Sequence, residues 1–354
     1  MRVMFRTDAS PRIGGGHVMR CLALADALRA RGATCGFVFS SMPEALQARV
    51  AAAGHALLPI DRTPHASTET EEWDRVVLPA AVQEEDARRT RMALGPAEPE
   101  WLVIDHYQLN AVFEAAAGGA RRMVIDDLAN RKHACDLLLD QTLGRNLNDY
   151  RPLVPTGCVV VTGPEYAPLR PEFAAARPRA LARRSEAPAR RVLVSLGTAD
   201  LGGITARALD QILALNVGLA IDVVLGRAAP SLAHVEDVAS RHSEVRLHID
   251  SDAMAELMIE ADLAVGAAGT TSWERCCLAL PALVVVLAGN QRFIAQQLHD
   301  AGAQIMVDGQ SIGGALQALL IDHAQRAEMA QRAARVTDGL GSRRLCDTLF
   351  NMRK

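Results

Sequence analysis

Short apolar runs alternate with amphipathic stretches along almost the whole chain. In the first half, the apolar runs predict strands over residues 3–6, 34–39, 56–60, 101–104, 122–125, 137–139 and 159–161. The stretches between them predict helices over residues 17–31, 43–53, 81–94 and 111–117. Such alternation is typical of βαβ units, so the pattern predicts a parallel sheet covered by helices.

The second half repeats this architecture without repeating the sequence. Strands are predicted over residues 192–195, 220–225, 245–248, 263–265, 283–287 and 304–306. Helices are predicted over residues 204–215, 231–241, 253–260, 272–280, 292–300, 311–335 and 342–350. The chain is therefore predicted to be α/β, with two doubly wound Rossmann-like domains, residues 1–175 and 191–354, facing a cleft at their strand ends. Residues 176–190, rich in Arg, Ala and Pro, are expected to be a solvated linker rather than a polyanion site.

Composition narrows the classes of function. The 354 residues are 49% hydrophobic and 22% charged, as in globular proteins, and the net charge of −3 with 4% aromatics argues against a nucleic-acid partner. Seven cysteines without a C-x-x-C pair favour a reducing cytoplasm, and no apolar stretch is long enough to span a membrane. No His, Cys and carboxylate cluster has zinc spacing, so we expect neither a metal nor a cofactor. A monomer or weak oligomer is expected.

One tract in the second half suggests anion binding. Gly269-Thr270-Thr271-Ser272-Trp273-Glu274 follows an apolar strand and opens a helix. A turn of small residues lets backbone N–H groups approach an anion, and the helix dipole adds positive charge. Glu274 in the first helical turn is placed to accept hydrogen bonds from sugar hydroxyls. The alternative is an ordinary strand-to-helix turn with a capped helix.

A glycine-rich loop near the N-terminus is a second candidate. Ile13-Gly14-Gly15-Gly16-His17 follows the strand that ends in Arg6-Thr7-Asp8, and it opens a helix. It is not a dinucleotide fingerprint, because Met19 stands where the third glycine belongs and no ribose-binding acid ends the second strand. His17 at the helix start is a candidate general base; the alternative is a histidine that only caps or packs.

Polar residues follow other predicted strands. Asp105-His106-Tyr107 and Asp126-Asp127 end two neighbouring strands of the first half, although each alone is often a cap or turn residue. In the second half, Ser195-Leu196-Gly197-Thr198 is a further phosphate loop candidate without a Walker lysine, and Gly289-Asn290-Gln291 follows a strand. Asp250-Ser251-Asp252 matches the D-x-D pattern of metal-dependent glycosyltransferases, but helix capping is the favoured interpretation.

Together these motifs resemble a known family. With Gly163-Pro164-Glu165-Tyr166 and Leu169-Arg170-Pro171-Glu172-Phe173, they are similar to the UDP-2,4-diacetamido-2,4,6-trideoxy-β-L-altropyranose hydrolases of the pseudaminic acid pathway. These hydrolases are relatives of the MurG-type glycosyltransferases. The resemblance implies the GT-B architecture and hydrolysis of a UDP-sugar at the anomeric carbon, with inversion and without a metal.

The resemblance also implies roles for individual residues. Those given catalytic or positioning roles are His17, Tyr107 and Asn290. Those given substrate or UDP contacts are Arg6, Asp8, Gly15, Gly16, Asp105, Gly197, Met254, Gly269, Thr270, Thr271, Ser272, Glu274 and Gln291. A GT-B UDP-sugar glycosyltransferase and a non-catalytic nucleotide-sugar-binding protein remain open alternatives.

Overall fold

Two compact units make up the chain in the computed structural model, which describes residues 1–10, 13–62, 76–184 and 188–352. Unit 1 comprises residues 1–170 together with the chain from residue 340 onward, and unit 2 comprises Pro171–Gly339. Each unit has a parallel sheet with helices between its strands. The prediction of two doubly wound α/β units is confirmed.

The described part of unit 1 contains a seven-stranded parallel sheet in the order β3-β2-β1-β4-β5-β6-β7. Its strands are β1 Arg2–Thr7, β2 Thr34–Phe39, β3 Ala56–Pro59, β4 Trp101–Asp105, β5 Arg121–Ile125, β6 Leu137–Asp140 and β7 Val159–Thr162. Its helices before residue 170 are α1 Gly16–Arg29, α2 Glu44–Ala52, α3 Ala80–Leu94, α4 Ala111–Ala116 and α5 Leu147–Tyr150. The central strands are apolar at nearly every position because helices cover both faces of the sheet.

The described part of unit 2 contains a six-stranded parallel sheet in the order β10-β9-β8-β11-β12-β13. Its strands are β8 Arg191–Ser195, β9 Ala220–Leu225, β10 Val245–Ile249, β11 Leu263–Ala267, β12 Ala282–Val285 and β13 Ile305–Val307. Its helices are α6 Pro171–Arg183, α7 Ile204–Leu213, α8 Leu232–Arg241, α9 Met254–Glu260, α10 Thr271–Cys277, α11 Gln291–Asp300, α12 Ile312–Ile321 and α13 His323–Ala334. Branched aliphatic residues from both the strands and the helices form its core.

In each sheet, successive strands first extend toward one edge, and the chain then returns to the centre and extends toward the other edge. In unit 1 this point lies between β1 and β4, with Thr7 in register with Asp105. In unit 2 it lies between β8 and β11, with Ser195 in register with Gly266. In open parallel sheets the carboxyl ends of the two strands at such a point diverge and form a crevice that binds ligands.

The expected linker, residues 176–190, is helical over much of its length. Helix α6 covers Pro171–Arg183, while residues 185–187 lie outside the described residues. Two of its arginines bind helix-end carbonyls: Arg177 donates to the carbonyls of Cys277 and Ala334, and Arg184 Nη2 donates to the carbonyl of Met258 at 2.6 Å, whereas Arg179 and Arg183 are exposed. The carbonyls at helix ends lack partners within the helix and carry partial negative charge, so guanidinium groups bind them well. The linker interpretation was wrong.

Three further expectations about elements need correction. The last helix, α14 (Gly341–Asn351), packs against α1 in unit 1 and not in the second unit. The helix predicted over residues 311–335 is two helices, because the Asp322 carboxylate accepts the Gln325 N–H at 2.8 Å and starts a new one. Capping of α9 by Asp250 or Asp252 is also wrong. Ala253 is the N-cap residue, no described side chain caps it, and Asp250 pairs with Arg227.

Candidate functional site

His17 is paired with a buried carboxylate at the crevice of unit 1. Gly16 is the first residue of α1, which places His17 over the carboxyl end of β4. The His17 Nδ1 atom lies 2.5 Å from Asp105 Oδ1, and only 7% of the His17 surface is exposed. The two residues are 88 positions apart, so the fold and not the local sequence forms this pair.

Arg20 holds the Asp105 carboxylate from the other side. Its Nε and Nη2 atoms donate to the two Asp105 oxygens at 2.7 Å each, and its Nη1 donates to Asp127 Oδ2 at 2.7 Å. Burial opposes ionisation of Asp105, but the charge of Arg20 and the hydrogen bonds from Arg20 and His17 hold the pKa of this carboxyl well below its usual range. Asp105 is therefore an ionised acceptor at neutral pH.

This geometry fixes the roles of the two imidazole nitrogens. An ionised carboxylate only accepts hydrogen bonds, so the short contact to Asp105 assigns the hydrogen to His17 Nδ1. Arg20 Nη2 is the more distant neighbour of the same nitrogen, at 3.2 Å. In the neutral imidazole, the lone pair is then on the other nitrogen, Nε2. A histidine oriented in this way by a carboxylate is suited to take a proton from a nucleophile.

Tyr107 restricts the orientation of the imidazole. Its ring packs edge-on against the His17 ring, with 4.5 Å between the ring centroids and an interplanar angle of 79°. Tyr107 is itself buried in the loop that follows β4. The structure thus brings together His17, Asp105, Tyr107 and Asp127, all candidates from the sequence, and it adds Arg20 to them.

Arg6 and Asp8 belong to a neighbouring cluster on the other side of β1. Arg6 donates to both oxygens of Asp86 on α3, at 3.1 and 2.7 Å, and to Asp8 Oδ1 at 2.8 Å. Asp8 also accepts from the Ser40 backbone and hydroxyl, and His106 Nε2 lies 3.2 Å from its Oδ2. Burial opposes its ionisation, but Arg6 holds the pKa of Asp8 well below its usual range. Arg6 thus serves the two carboxylates Asp8 and Asp86 beside a cavity of about 80 Å³.

The glycine loop fits closely around these clusters. Gly14 has a φ of +78°, which favours glycine, and its N–H donates to the Ser10 carbonyl at 2.8 Å. A Cβ atom on Gly15 would lie 3.3 Å from the Leu46 side chain. The loop is therefore a tight entry to α1 that sets the position of His17.

In unit 2, the Gly269–Ser272 tract lies at the crevice as a turn between β11 and α10. We call residues 269–272 the threonine turn. Its Ser272 N–H donates to the Gly269 carbonyl at 2.9 Å, and Thr270 is the N-cap of α10. None of the described side chains caps this helix end. Helix α10 therefore starts without a side-chain cap among the described residues, and Glu274 lies half-buried in its first turn.

A buried arginine lies beneath the threonine turn. Arg275 is 3% exposed, and its Nη2 donates to the Ala267 carbonyl at 2.9 Å and to Ser272 Oγ at 3.0 Å. Its Nη1 lies 3.2 Å from Thr271 Oγ1. It forms no ion pair with any residue that the structure describes. The Ser272 hydroxyl is fully buried against this guanidinium, so it supports the turn from below.

The remaining predicted contacts of unit 2 follow other strands. Gly197, with a φ of +98°, lies in the loop after β8, which is the neighbour of β11. Asn290 and Gln291 lie at the start of α11 after β12, and Gln291 Oε1 accepts the Leu287 N–H at 2.9 Å. Met254 is the first residue of α9, after the edge strand β10. Gly197 and Asn290 thus border the threonine turn through neighbouring strands, whereas Met254 follows the far edge of the sheet.

The described residues contain no group of three or more His, Cys, Asp or Glu side chains arranged to hold a metal ion. Nor does any helix in the same ranges have the length and apolarity to cross a membrane.

Comparisons with known proteins assign the family. Residues 231–345 match the C-terminal domain of glycosyltransferase family 28. Over 338 residues, the chain is 30% identical to the UDP-N-acetylglucosamine–N-acetylmuramyl-(pentapeptide) pyrophosphoryl-undecaprenol N-acetylglucosamine transferase of Salinibacter ruber, covering 90% of this chain and 89% of that one. The chain belongs to glycosyltransferase family 28. This membership accounts for the parallel sheet and threonine turn of unit 2.

The chain is also similar to a curated hydrolase and to a solved MurG structure. It is 24% identical over 308 residues to the UDP-2,4-diacetamido-2,4,6-trideoxy-β-L-altropyranose hydrolase of Campylobacter jejuni, covering 86% of this chain and 98% of that one. The crystal structure of Acinetobacter baumannii MurG superposes with a TM-score of 0.66 at 16% identity, covering 99% of both chains. The predicted GT-B fold and the resemblance to the hydrolases are both confirmed.

Two arginines were missed by the sequence analysis. Arg20 lies three residues after His17, a spacing that places both on one helix face, and this was the available signal. Arg275 lies within the tract that was singled out, directly after Glu274, but nothing in the sequence indicates that its side chain turns back under the turn.

Proposed function

We propose that this family member hydrolyses a UDP-linked 2,4-diacetamido-2,4,6-trideoxy sugar of the altropyranose type to UDP and the free sugar, as a step in pseudaminic acid biosynthesis. The reaction inverts the anomeric carbon and uses no metal. The observation that carries the proposal is the His17–Asp105 pair, which leaves His17 Nε2 as a base. The similarity to the Campylobacter jejuni hydrolase along 98% of its length supports the choice of substrate.

The proposed step is a single displacement at the anomeric carbon. His17 Nε2 takes a proton from water while the water oxygen forms a bond to that carbon. The bond between the carbon and the β-phosphate oxygen breaks, and its electron pair leaves with UDP. Attack opposite to the leaving group gives inversion. Asp105 stabilises the imidazolium that forms, and Tyr107 and Asn290 position the sugar or the water.

Unit 2 is proposed to bind the UDP half. The N–H groups of Gly269, Thr270 and Thr271 are the proposed donors to the diphosphate, supported by the lack of a side-chain cap on α10 among the described residues. Glu274 accepts hydrogen bonds from the ribose, and the region of Met254 contacts the base. Because a nucleoside diphosphate is a good leaving group, no strong general acid is needed.

The test uses candidate UDP-diacetamido sugars in oxygen-18 water, with product masses and anomeric configuration followed by mass spectrometry and NMR. We expect UDP without label and a free sugar that carries one oxygen-18 atom in the inverted configuration. Label in UDP would mean cleavage at phosphorus and would overturn the mechanism. His17→Asn is expected to lower kcat on the order of 10²–10⁴-fold; a folded variant with near-normal activity would remove His17 from the base role.

A second function is favoured by one observation, the 30% identity to the Salinibacter ruber transferase. A glycosyltransferase would use His17 to activate an acceptor hydroxyl in place of water. The same assay separates the two functions, since a hydrolase releases UDP and free sugar without any acceptor. UDP release that depends on an added acceptor would favour the transferase.

A further inference from the structure

Arg275 is a buried cation that the proposed reaction has not used. The folded chain removes its guanidinium from water, at 3% exposure, and it forms no ion pair with the described residues, although the Glu274 carboxylate acts on it electrostatically. Its Nε atom also lacks a hydrogen-bond partner there. Burying a charge costs desolvation free energy when no opposite charge lies beside it. Hydrogen bonds alone compensate this cost poorly.

The guanidinium is fixed under the threonine turn by close packing. Its Nη2 atom is held by the Ala267 carbonyl and the Ser272 hydroxyl. A Cβ atom on Gly266 would lie 2.5 Å from Arg275 Nη1, so only glycine at this place in β11 leaves room for the side chain. Burial lowers the pKa of Arg275 only to about 10, so the group is charged at neutral pH.

The contact with Thr271 orients a hydroxyl. Arg275 Nη1 can only donate, so Thr271 Oγ1 accepts at 3.2 Å. The hydrogen of that hydroxyl is then directed away from the guanidinium. Thr271 is half-buried, and it therefore offers a donor on the outer side of the turn.

We propose that Arg275 is a positioning residue for the UDP diphosphate: it supplies the positive charge of the threonine turn from beneath and makes the Thr271 hydroxyl a donor. This inference rests on the proposed function of unit 2. Because Arg275 is buried, water and salt screen its charge poorly. The charge therefore acts on a diphosphate bound at the turn. It should contribute to the affinity for UDP and not to that for uridine.

Calorimetry with UDP and uridine tests this on the full chain. Arg275→Gln removes the charge but keeps hydrogen-bonding atoms, whereas Arg275→Lys keeps the charge and loses the planar fork. We expect Arg275→Gln to weaken UDP binding about 10- to 100-fold, the scale of a charged hydrogen bond, with uridine binding unchanged. Arg275→Lys should retain most of the UDP affinity and its dependence on salt.

Arg326 provides a matched control in unit 2. It is also buried, at 6% exposure, and its Nη1 donates to the carbonyls of Leu319 and Leu320. Arg326→Gln should lower stability without changing the dissociation constant for UDP. The inference is overturned if Arg275→Gln binds UDP like the wild type, if it loses UDP and uridine equally, or if Arg275→Lys is the weaker binder. A wild-type protein that does not bind UDP would overturn the proposed function as well.

Discussion

Replacement of Asp105 by Asn tests the proposed base most directly. The carboxylate accepts from His17 Nδ1 at 2.5 Å and from two nitrogens of Arg20 at 2.7 Å each. An amide has one accepting oxygen, so either orientation of the substituted side chain directs an NH₂ group toward a donor. If the NH₂ faces His17, the imidazole must accept at Nδ1 and carry its hydrogen on Nε2. The lone pair needed for proton abstraction is then lost.

The substitution is expected to lower both kcat and the free energy of unfolding. Removal of general base catalysis lowers kcat on the order of 10²–10⁴-fold. Breaking a buried ion pair costs up to about 3–5 kcal/mol in the free energy of unfolding, although the remaining contact of Arg20 with Asp127 reduces this here. Because the pKa of Asp105 is held well below its usual range, the pair is intact at neutral pH and weakens only in acid.

The assay compares kcat, KM and the dissociation constant for UDP, with folding checked by circular dichroism and urea denaturation. Glu114→Gln is the matched control. Its carboxylate is also fully buried in unit 1 and lies 2.7 Å from a histidine Nδ1, that of His133, but it is outside the candidate site. We expect Asp105→Asn to lose kcat and keep UDP affinity, and Glu114→Gln to lose stability only. A folded Asp105→Asn protein with kcat within about tenfold of the wild type would refute the assignment.

Three further predictions concern binding, metal and pH. Glu274→Ala should weaken UDP binding measured by calorimetry, and an unchanged dissociation constant would contradict the ribose role. Activity should survive EDTA; its loss, with rescue by a divalent cation, would contradict metal-independent hydrolysis. Despite burial, Asp126 and Glu114 raise the pKa of His133 from 6.5 to about 9. Its stabilisation, on the order of 3 kcal/mol, is full below pH 6.5 and lost as pH rises through 9. Urea unfolding across this range should show a steeper decline for the wild type than for His133→Gln.

The sequence pattern was sufficient to predict the two sheets and the strand ends that carry polar residues. Strands buried on both faces are apolar throughout, as β4 is, so their carboxyl ends can be located from the sequence. That is why Asp105, His17 and the threonine turn were found. The carboxyl ends of neighbouring parallel strands lie at one edge of the sheet whatever the loop lengths. The topology therefore predicted that residues following such strands lie close together.

Side-chain partners could not be predicted in the same way. Composition alone made the arginines of residues 176–190 resemble a solvated linker, because the carbonyls that Arg177 and Arg184 bind belong to helices distant in sequence. Asp322 interrupts a helix without Pro or Gly, by capping the next one. The resemblance gave Arg6 a substrate or UDP contact, yet its guanidinium binds Asp86 on α3, on the other side of the sheet from His17 on α1.

The charged groups around His17 differ from those beneath the threonine turn, and this difference supports the proposed division of roles. Around His17, one guanidinium, Arg20, serves two carboxylates, Asp105 and Asp127, which leaves an excess of negative charge. Such surroundings would repel a diphosphate. Beneath the threonine turn, the guanidinium of Arg275 donates to neutral oxygens and forms no ion pair with the described residues, so its charge favours an anion. These electrostatics support the proposal that unit 1 abstracts a proton and that unit 2 retains the departing diphosphate.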